Sequence, residues 1–550
     1  MNFDSYIHEK ISSLSDEWGI KFYMAERLIK SMLDKKWHTD NEISQTTNIP
    51  HRIVRNVRDD LNDIITVRDS KYRSNIDISE HKLIERKDGV GELGRQEIIS
   101  KMEGYISSVP DPLDDLDHIQ ATPETCFRRA RFILNRYYLK GGHIVFIGDH
   151  DLTSIALRLM GEEFGISVLD VDERLLQYIY NCSKNDNLRI RTIFGDLRIG
   201  LPKSLKKSAD IVFTDPPYTT AGVRLFAARS IMSLTDQRPG RILLCHGYSY
   251  HRPDQGYETQ STLSDLRLVH EAIKPSFNHY KGAYSIGSSA DLYIERPTRR
   301  SRPAADNVDT GTLIYSKGPS AINTNTAEPQ LLPLLEKCNL SPSKNETKPS
   351  VVGYGLSQTD KYKWTSLQGF FNIIYKSNYT IGTDDNPFSD RLAVSLLPDY
   401  KVYIPRVLMS SRSSNIILIT KNNNIGSKID DMTDFTSCFY TLNNRKKEDG
   451  YNILIFSLVK DTDDDFTKVM RGISNRKNAK LTNAWHKELD RLAFNRDIKV
   501  TKNKIRDIIS SSNLYKHHYR KSYLIELSVN NLIELTKDVK STVKKIKSER

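Results

Sequence analysis

Short apolar runs alternate with amphipathic segments through the middle of the chain. Residues 144–147, 166–169 and 211–213 are mostly apolar, and the segment 155–161 after the first run has apolar residues at helical spacing. Apolar runs of this length indicate buried strands. Their combination with helical segments predicts an open α/β sheet of Rossmann-like type.

Acidic residues stand where these predicted strands end. Ligands of open α/β sheets bind outside the carboxyl ends of the strands, so we expect the side chains at these positions to share one pocket. The acidic residues and their neighbours at these strand ends are Gly148, Asp149, His150, Asp151, Asp170, Asp172, Asp196, Leu197, Asp215, Pro216 and Tyr218.

The loop after the first strand favours a cationic ligand over a phosphate. A dinucleotide site has a glycine-rich turn, whereas this loop carries Asp149 and Asp151, which repel a pyrophosphate. An adenosyl sulfonium compound is positively charged and has no phosphate. Asp172, beyond the second strand, is the best candidate to bind its ribose.

These motifs resemble the branched-chain polyamine synthases, also called N4-bis(aminopropyl)spermidine synthases. That family carries a Gly-Asp-Asp-Asp-Leu-Thr-Ser loop, matched here by residues 148–154, and an Asp-Ile-Asp-Glu-Arg-Leu segment, matched by residues 170–175. The Thr-Asp-Pro-Pro motif is matched by residues 214–217, and flanking matches lie at 121–125 and 274–280. The resemblance covers residues 121–280.

The resemblance implies transfer of an aminopropyl group from decarboxylated S-adenosylmethionine, as a cosubstrate, to a polyamine or related amine. It makes Asp151 the expected proton acceptor, with Asp149 and Asp215 orienting donor and amine. The expected donor-binding residues are Gly148, Asp149, Asp172, Asp196 and Leu197. The expected amine-binding residues are His150, Asp215, Pro216, Tyr218 and Tyr280. No tightly bound cofactor and no metal are expected, and the sequence does not separate decarboxylated from intact S-adenosylmethionine.

Two departures from the family pattern leave the acceptor open. His150 replaces the middle acid of the loop, and Tyr218 replaces the usual Glu after the double proline. Each removes a negative charge from a site expected to hold a polycation, which leaves open an acceptor that is shorter, less charged or not a polyamine at all. Asp-Pro-Pro-Tyr at 215–218 is also typical of amino-directed DNA methyltransferases, in which the aromatic ring stacks on a flipped base. Methylation of nucleic acid, and a DNA-binding regulator that senses a nucleoside or polyamine, are therefore the alternatives.

The N-terminal residues 1–85 are predicted to form a winged-helix head. Helical periodicity at 24–33, a capped start at 39–43 and a third helix at 53–61 precede alternating residues at 64–67 and 76–78 that suit a wing. Arg52, Arg55 and Arg58 share one side of the third helix. They can meet phosphates, although a head that serves packing or a homodimer is the favoured interpretation.

The rest of the chain divides into three parts. The predicted Rossmann-like domain occupies residues 86–295, and the polar, proline-punctuated residues 296–362 are predicted to be a linker or flap. Residues 363–550 are predicted to form an α/β or α+β domain of unknown type, with strands at 415–420 and 452–457. Asp461 to Asp465 are interpreted as a helix start, because the run lacks the glycine and distal glutamate of a calcium loop.

Composition and cysteine spacing indicate the expected cellular compartment. The 550 residues carry a net charge of +12 and five scattered cysteines that form no close pair. Such cysteines indicate neither a metal site nor a disulfide framework, so we expect a reducing cytoplasm. No secretory leader or membrane span is recognisable, and we expect a cytoplasmic enzyme with a small amine substrate.

Overall fold

The computed structural model describes most of the chain. The described residues are 17–78, 92–161, 163–308, 314–316, 331–338, 349–353, 362–367, 369–371, 390–396, 403–421, 432–459, 462–476, 479–516 and 519–549.

The first unit consists of three helices and a hairpin, with a core of its own. Its elements are α1 (Phe22–Met32), α2 (Asp40–Thr47), α3 (His51–Asp60), β1 (Ile65–Arg68) and β2 (Lys71–Ser74). Thr39 starts α2 through a capping box, because its side chain and that of Glu42 each accept the other's backbone N–H. Leu28, Val57 and Tyr72 are buried in the core. The three predicted helices and the first strand are present, whereas the second strand lies at Lys71–Ser74 and not at the predicted residues 76–78. The assignment as a winged helix stays a prediction.

The middle of the chain folds around a mixed eight-stranded sheet, which confirms the α/β prediction. From one edge, the strands lie in the order β6, β5, β4, β7, β8, β10, β9 and β3. The first five are parallel, whereas β10 runs antiparallel to both of its neighbours. The strands are β3 (Gln120–Ala121), β4 (His143–Ile147), β5 (Gly165–Asp170), β6 (Ile190–Phe194), β7 (Ile211–Thr214), β8 (Arg241–His246), β9 (Leu268–Lys281) and β10 (Ser289–Pro297).

Helices cover both faces of this sheet. They are α4 (Glu92–Ser108), α5 (Pro123–Arg136), α6 (Thr153–Met160), α7 (Glu173–Asn185), α8 (Thr220–Ser233) and α9 (Pro253–Asp265). Successive side chains of a strand point to opposite faces. Ile144 and Phe146 of β4 therefore join one core, while Val145 and Ile147 join the other. This double burial explains why the parallel strands are apolar runs rather than alternating ones.

The C-terminal region contains a second sheet of six strands in the order β12, β11, β13, β14, β16 and β15. The strands are β11 (Ser350–Val352), β12 (Lys363–Thr365), β13 (Arg391–Ser395), β14 (Asn415–Lys421), β15 (Tyr440–Glu448) and β16 (Tyr451–Leu458). The first four are mutually parallel, and the last two pair antiparallel. The strands predicted at 415–420 and 452–457 are β14 and β16, which agrees with the predicted mixed class.

Helices complete the C-terminal region. They are α12 (Ile404–Ser410), α13 (Thr433–Thr436), α14 (Asp465–Asn475), α15 (Leu481–Asn495), α16 (Lys502–Ser510), α17 (Asn513–Lys516) and α18 (Val529–Lys547). Asp464 caps α14, and Asp465 pairs with Arg496 and Lys547. The predicted acidic helix start is thus present, and Asp461 lies outside the described residues. None of the described residues form a group of acids, histidines or cysteines able to hold a metal ion.

The range predicted as a linker or flap contains ordered elements. These are α10 (Ser301–Asp306), α11 (Leu331–Lys337) and β11. Because β11 pairs with β12 and β13, the C-terminal sheet begins before residue 363. The strand is too short to stand out in a polar, proline-rich sequence. The boundaries proposed at 85, 295 and 362 stay predictions.

The C-terminal region packs against β6, the edge strand of the central sheet. The Tyr519 hydroxyl lies 2.7 Å from Thr192 Oγ1, and Arg406 Nη2 donates to Glu173 Oε1 at 3.1 Å. The Val529 N–H donates to the other Glu173 oxygen at 2.9 Å. An exposed edge strand can pair with a strand of another chain and cause aggregation, and covering β6 prevents such pairing. Among the described helices, none is long and apolar enough to cross a bilayer.

Candidate functional site

Two adjoining clefts lie at the carboxyl ends of the parallel strands. We call the first the acidic cleft and the second the adjoining cleft. The acidic cleft is lined by Leu116, Asp117, His118, Ile119, Arg129, Gly148, Asp149, His150, Asp151, Asp170, Phe213, Asp215, Pro216, Pro217, Tyr218 and Tyr280. The adjoining cleft is lined by Leu116, His118, Ile147, Gly148, Leu169, Asp170, Val171, Gly195, Asp196, Leu197, Asp215, Pro217, Phe226 and Tyr315.

The loop between β4 and α6 forms the boundary between the clefts. Gly148 has a φ of +71°, a conformation that favours glycine, and its N–H donates to the Leu169 carbonyl of β5 at 2.9 Å. Strand order reverses at β4, since β5 and β7 lie on either side of it. The loop therefore stands at the topological switch point, where open α/β sheets bind ligands.

A buried arginine organises the floor of the acidic cleft. Arg129 of α5 is fully buried, and its guanidinium donates to Asp151 Oδ2 at 2.6 Å and to Asp215 Oδ2 at 2.9 Å. It also donates to Asn278 Oδ1 at 2.7 Å and to the Tyr280 hydroxyl at 3.0 Å. One guanidinium thus holds two carboxylates from different strand ends, which compensates part of the cost of burying them.

Asp151 is fixed on both sides. Besides the Arg129 contact, its Oδ1 accepts the Ala121 N–H at 2.5 Å, and its carbonyl accepts from the Cys126 thiol at 3.0 Å. The carboxylate therefore connects β3, α5 and the loop after β4. Predicted as the proton acceptor, Asp151 lies at the acidic cleft with its charge already paired.

Asp149 is buried without a salt bridge among the described residues. Its carboxylate accepts the Ser154 N–H at 3.2 Å, at the start of α6. Burial raises the pKa of this carboxyl well above its ordinary value. An acid whose pKa moves toward neutrality is suited to accept a proton during a reaction.

Asp215 sits between the clefts on the turn after β7. Its Oδ2 accepts from the Tyr280 hydroxyl at 2.7 Å in addition to Arg129. Burial raises the pKa of Asp215 to about 7, although the guanidinium lowers it. Pro216 and Pro217 end the strand and fix the backbone beside this carboxylate.

Asp170 and Asp172 occupy different environments although they are two residues apart. Asp170 lines both clefts, its Oδ1 accepts the Asp172 N–H at 2.8 Å, and burial raises its pKa to about 7. Asp172 lines neither cleft. It caps α7 through the Arg174 N–H and pairs with the Arg174 guanidinium at 2.7 Å. Burial raises the pKa of Asp172, but the guanidinium outweighs this and lowers it.

Asp196 forms the far end of the adjoining cleft and contacts the C-terminal region. Its carboxylate pairs with Arg198 at 2.6 Å, and Oδ2 accepts from the Tyr403 hydroxyl at 3.0 Å. The Tyr403 ring packs edge-on against Phe194 at 5.6 Å. Burial alone would raise the pKa of Asp196, but the Arg198 guanidinium has the larger effect, so the pKa is lowered overall. A residue of the C-terminal region thus positions a carboxylate of this cleft.

Two stacked histidines form one wall of the acidic cleft. The rings of His118 and His150 lie 4.6 Å apart, and His150 Nε2 lies 3.1 Å from the Pro110 carbonyl. Among the described residues, neither buried Nδ1 atom has a hydrogen-bond partner. Burial lowers the pKa of His118 to about 3 and also lowers that of His150, which favours the neutral form of both rings.

Tyr218 also lines the acidic cleft, with its ring 5.8 Å from that of His246. Burial raises its pKa above the ordinary tyrosine value, which keeps the hydroxyl protonated. The ring stands beyond the double proline, where it can contact a bound molecule.

The structure brings most of the predicted residues together. All line the two clefts except Asp172, whereas Asp170, two residues earlier, lines both. Sequence reasoning missed Arg129, His118, Asn278, Tyr315 and Tyr403. The family match at residues 274–280 included two residues of this network, because Asn278 and Tyr280 of β9 both accept hydrogen bonds from Arg129.

The strand order, the loop at the switch point and the paired clefts define a Rossmann-like domain. Residues 97–297 match the family model of the branched-chain polyamine synthase A C-terminal domain. This segment is therefore similar to the branched-chain polyamine synthase family, which confirms the resemblance predicted over residues 121–280.

Individual relatives match the same segment. An uncharacterized protein of Methanocaldococcus jannaschii is 36% identical over 196 residues, covering 35% of this chain and 49% of the relative. N4-bis(aminopropyl)spermidine synthase from that organism is 32% identical over 195 residues, covering 35% of this chain and 55% of the relative. The Thermococcus kodakarensis enzyme of the same name is 35% identical over 193 residues, covering 34% of this chain and 53% of the relative. The chain spans about half the length of these relatives.

Proposed function

We propose that this chain transfers an aminopropyl group from decarboxylated S-adenosylmethionine to an amine. The observation that carries the proposal is the pair of clefts, lined with carboxylates rather than phosphate-binding glycines, in a segment similar to the polyamine synthase family. Two relatives that match this segment are named N4-bis(aminopropyl)spermidine synthase.

In this proposal the adjoining cleft holds the donor. Asp170 stands where the ribose hydroxyls of a nucleoside meet a Rossmann-like sheet, at the end of the second parallel strand. Asp196 and Leu197 bind the base end, and Gly148 allows the donor to pass close to the backbone. Asp172 supports the site indirectly by starting α7. The sulfonium then lies near Asp170 and Asp215, which line both clefts and favour a positive charge.

The acidic cleft holds the amine. The lone pair of the attacking nitrogen forms a bond to the propyl carbon, and the carbon–sulfur bond breaks with its electrons passing to sulfur. The products are the extended amine and 5′-methylthioadenosine. The proton on nitrogen passes to Asp149, which has the raised pKa and no salt bridge among the described residues. Asp151 and Asp215, held by Arg129, position the amine together with Pro216, Tyr218 and Tyr280.

Mass spectrometry of reaction products tests the function. We expect a mass gain of one aminopropyl unit on an amine when the full chain is incubated with decarboxylated S-adenosylmethionine and a mixture of diamines, spermidine and duplex DNA. The Asp149→Asn variant should give no such product, and an Arg131→Met variant, exposed on α5, is the matched control. Methylated DNA from intact S-adenosylmethionine would instead make Tyr218 a base-stacking residue and overturn the proposal. Tight donor binding without turnover would favour a sensor.

Removing the Tyr403 hydroxyl should weaken donor binding. Tyr403→Phe leaves the ring beside Phe194 but removes one of the donors that fix Asp196. A neutral hydrogen bond contributes about 0.5–1.5 kcal/mol, so the Kd for 5′-methylthioadenosine should rise about 3- to 10-fold. Isothermal titration calorimetry measures this. The control is Tyr440→Phe, whose hydroxyl donates to the Ser413 carbonyl elsewhere in the C-terminal region. Equal affinities of Tyr403→Phe and wild type would contradict the role.

The head is proposed to serve packing or homodimer formation rather than nucleic-acid binding. Arg58 pairs with Asp40 at 2.8 Å and Asp59 at 2.9 Å, and Arg55 lies 3.7 Å from Asp40. Carboxylates therefore already compensate part of the positive charge that α3 offers to phosphates. We also propose that the enzyme acts in the cytoplasm.

A further inference from the structure

We infer that a second binding site lies at the end of the central sheet opposite the two clefts, where a cleft rich in arginine binds a small anion with several phosphate groups. We call it the basic cleft, and its arginines are Arg238, Arg241, Arg296, Arg299 and Arg302. This site is separate from the acidic and adjoining clefts and takes part in no step of aminopropyl transfer.

The direction of the strands places the basic cleft away from the candidate active site. β8 begins at Arg241 and β10 ends at Pro297, and because the two strands are antiparallel neighbours, these two ends lie side by side. The acidic and adjoining clefts lie at the opposite ends, where the parallel strands finish. The six residues of β8 alone span about 20 Å. A small ligand in the basic cleft therefore cannot reach the acidic cleft.

Three arginines of the basic cleft are held in place by acids. The ion pairs are Arg238–Asp210 at 3.2 Å, Arg241–Glu271 at 2.5 Å and Arg302–Asp236 at 2.6 Å. Arg302 also donates to the Leu234 carbonyl at 2.9 Å, and Asp236 has a second partner in Lys207 at 2.5 Å. These contacts fix the guanidiniums before a ligand arrives, so binding immobilises fewer side chains.

The other two arginines have no counter-charge. Arg296 and Arg299 are exposed, lie on either side of Pro297 and Thr298, and make no side-chain hydrogen bond or ion pair within the described part of the chain. A single exposed arginine is ordinarily solvated. These two differ from that case because they line a concave surface that already holds three guanidiniums, so their donors converge on one volume.

Charged groups beside the basic cleft increase the positive excess. Lys21 of the head and Arg136 of α5 lie close enough to Glu271 to act on its charge. Burial lowers the pKa of Lys21, and the guanidiniums of Arg241 and Arg296 lower it further, whereas Glu271 raises it. Cations therefore outnumber the three acids and repel one another, and a bound anion relieves that repulsion.

The chemistry of the basic cleft favours phosphate groups. Guanidinium forks match phosphate oxygens, and each terminal phosphate group carries up to about two negative charges near neutral pH. Two or three linked groups thus offset the excess within a small volume, whereas an acidic peptide brings one charge per side chain. No aromatic ring stands among the described residues that line the cleft, although sites for single-stranded nucleic acid combine basic grooves with stacking aromatics. The ligand is therefore a short phosphate chain, either inorganic or part of a nucleotide.

Calorimetric titration of the full chain tests this site. Sodium triphosphate and ATP are titrated separately at an ionic strength of about 0.1 M, and we expect both to bind to wild type. The Kd should rise about 10-fold in Arg296→Met/Arg299→Met, since each exposed contact between opposite charges contributes a factor of about 2 to 5. Arg52→Met/Arg55→Met, with two exposed arginines of α3, removes the same charge and should bind as wild type does. Tighter binding of ATP than of triphosphate would identify a nucleotide as the ligand.

Four results would overturn the site. They are a wild type that binds neither compound, an unchanged Kd in Arg296→Met/Arg299→Met, loss of binding in the α3 control, and tighter binding of duplex DNA or an acidic peptide than of triphosphate. If the double variant does not fold, Arg299→Met takes its place with an expected rise of about 2- to 5-fold. Arg296→Met/Arg299→Met should keep wild-type aminopropyl transfer. Because the titration contains no donor or amine, failure of the transfer reaction leaves its result unaffected.

Discussion

The Asp149→Asn variant is expected to lose aminopropyl transfer by about 10²- to 10⁴-fold in kcat, the usual contribution of a general base. The side chain lies at the acidic cleft, accepts the Ser154 N–H and has no salt bridge in the described part of the chain. Asparagine retains the size and the hydrogen bond but cannot take up a proton. Single-turnover kinetics with the donor bound measure the chemical step directly.

The comparison with Asp151→Asn separates the two candidate bases. Asp151→Asn removes the charge that pairs with Arg129 and should lower both activity and stability. Asp149→Asn should lower activity alone. If Asp149→Asn retains wild-type kcat while Asp151→Asn has native stability and no activity, the proton acceptor is Asp151, as the sequence predicted.

The pH dependence follows from the same side chain. Transfer needs ionised Asp149, so kcat should rise with pH through the raised pKa of that carboxyl. Stability should change in the opposite direction. A carboxyl whose folded pKa is raised stabilises the fold fully below its unfolded pKa, and this contribution is lost as pH rises through the folded pKa. Asp170 and Asp215, with pKa values raised to about 7, place this loss between about pH 4 and 7.

Arg129→Met is expected to lower the free energy of unfolding by about 3–5 kcal/mol, the cost of removing one partner from a buried ion pair. The guanidinium is fully buried and holds Asp151, Asp215, Asn278 and Tyr280. Without it, two carboxylates are left buried and uncompensated. Urea unfolding followed by circular dichroism measures the loss.

Two further variants test whether the buried charge of Arg129 is the cause of this loss of stability. Arg131→Met, exposed on the same helix, should change stability by less than about 0.5 kcal/mol. Arg129→Lys keeps the charge but cannot reach four partners in a planar fork, so it should be intermediate. Stability of Arg129→Met equal to that of Arg131→Met would show that the two carboxylates take up protons at no cost. In that case Arg129→Met should lose stability only at a higher pH, where the two carboxylates are ionised.

The choice among neighbouring arginines shows where sequence reasoning ends. Arg128, Arg129 and Arg131 lie within four residues of α5, and the sequence does not distinguish them. Arg129 is fully buried, Arg128 reaches the Phe277 carbonyl, and Arg131 is exposed. The rotation of α5 against the sheet decides which arginine enters the core, and that rotation depends on packing with distant segments.

Asp170 and Asp172 show the same limit within a single turn. Asp170 and Asp172 both follow β5, and the sequence favoured Asp172 because it lies beyond the strand. In the structure the chain turns so that Asp170 faces the clefts while Asp172 caps α7. Residues two apart in an irregular turn have no fixed relative direction, so only the backbone conformation assigns them.

The sequence by itself determined the α/β class, the family resemblance of the central segment and most of the carboxylates that line the clefts. These depend on local signals, since buried parallel strands are apolar runs and ligand-binding residues of such sheets follow the strand ends. Tertiary structure alone decided the Arg129 network, the stacking of His118 on His150 and the contact of Tyr403 with Asp196, which are 207 residues apart. Such contacts depend on how separate elements pack, and no local pattern of the chain records them.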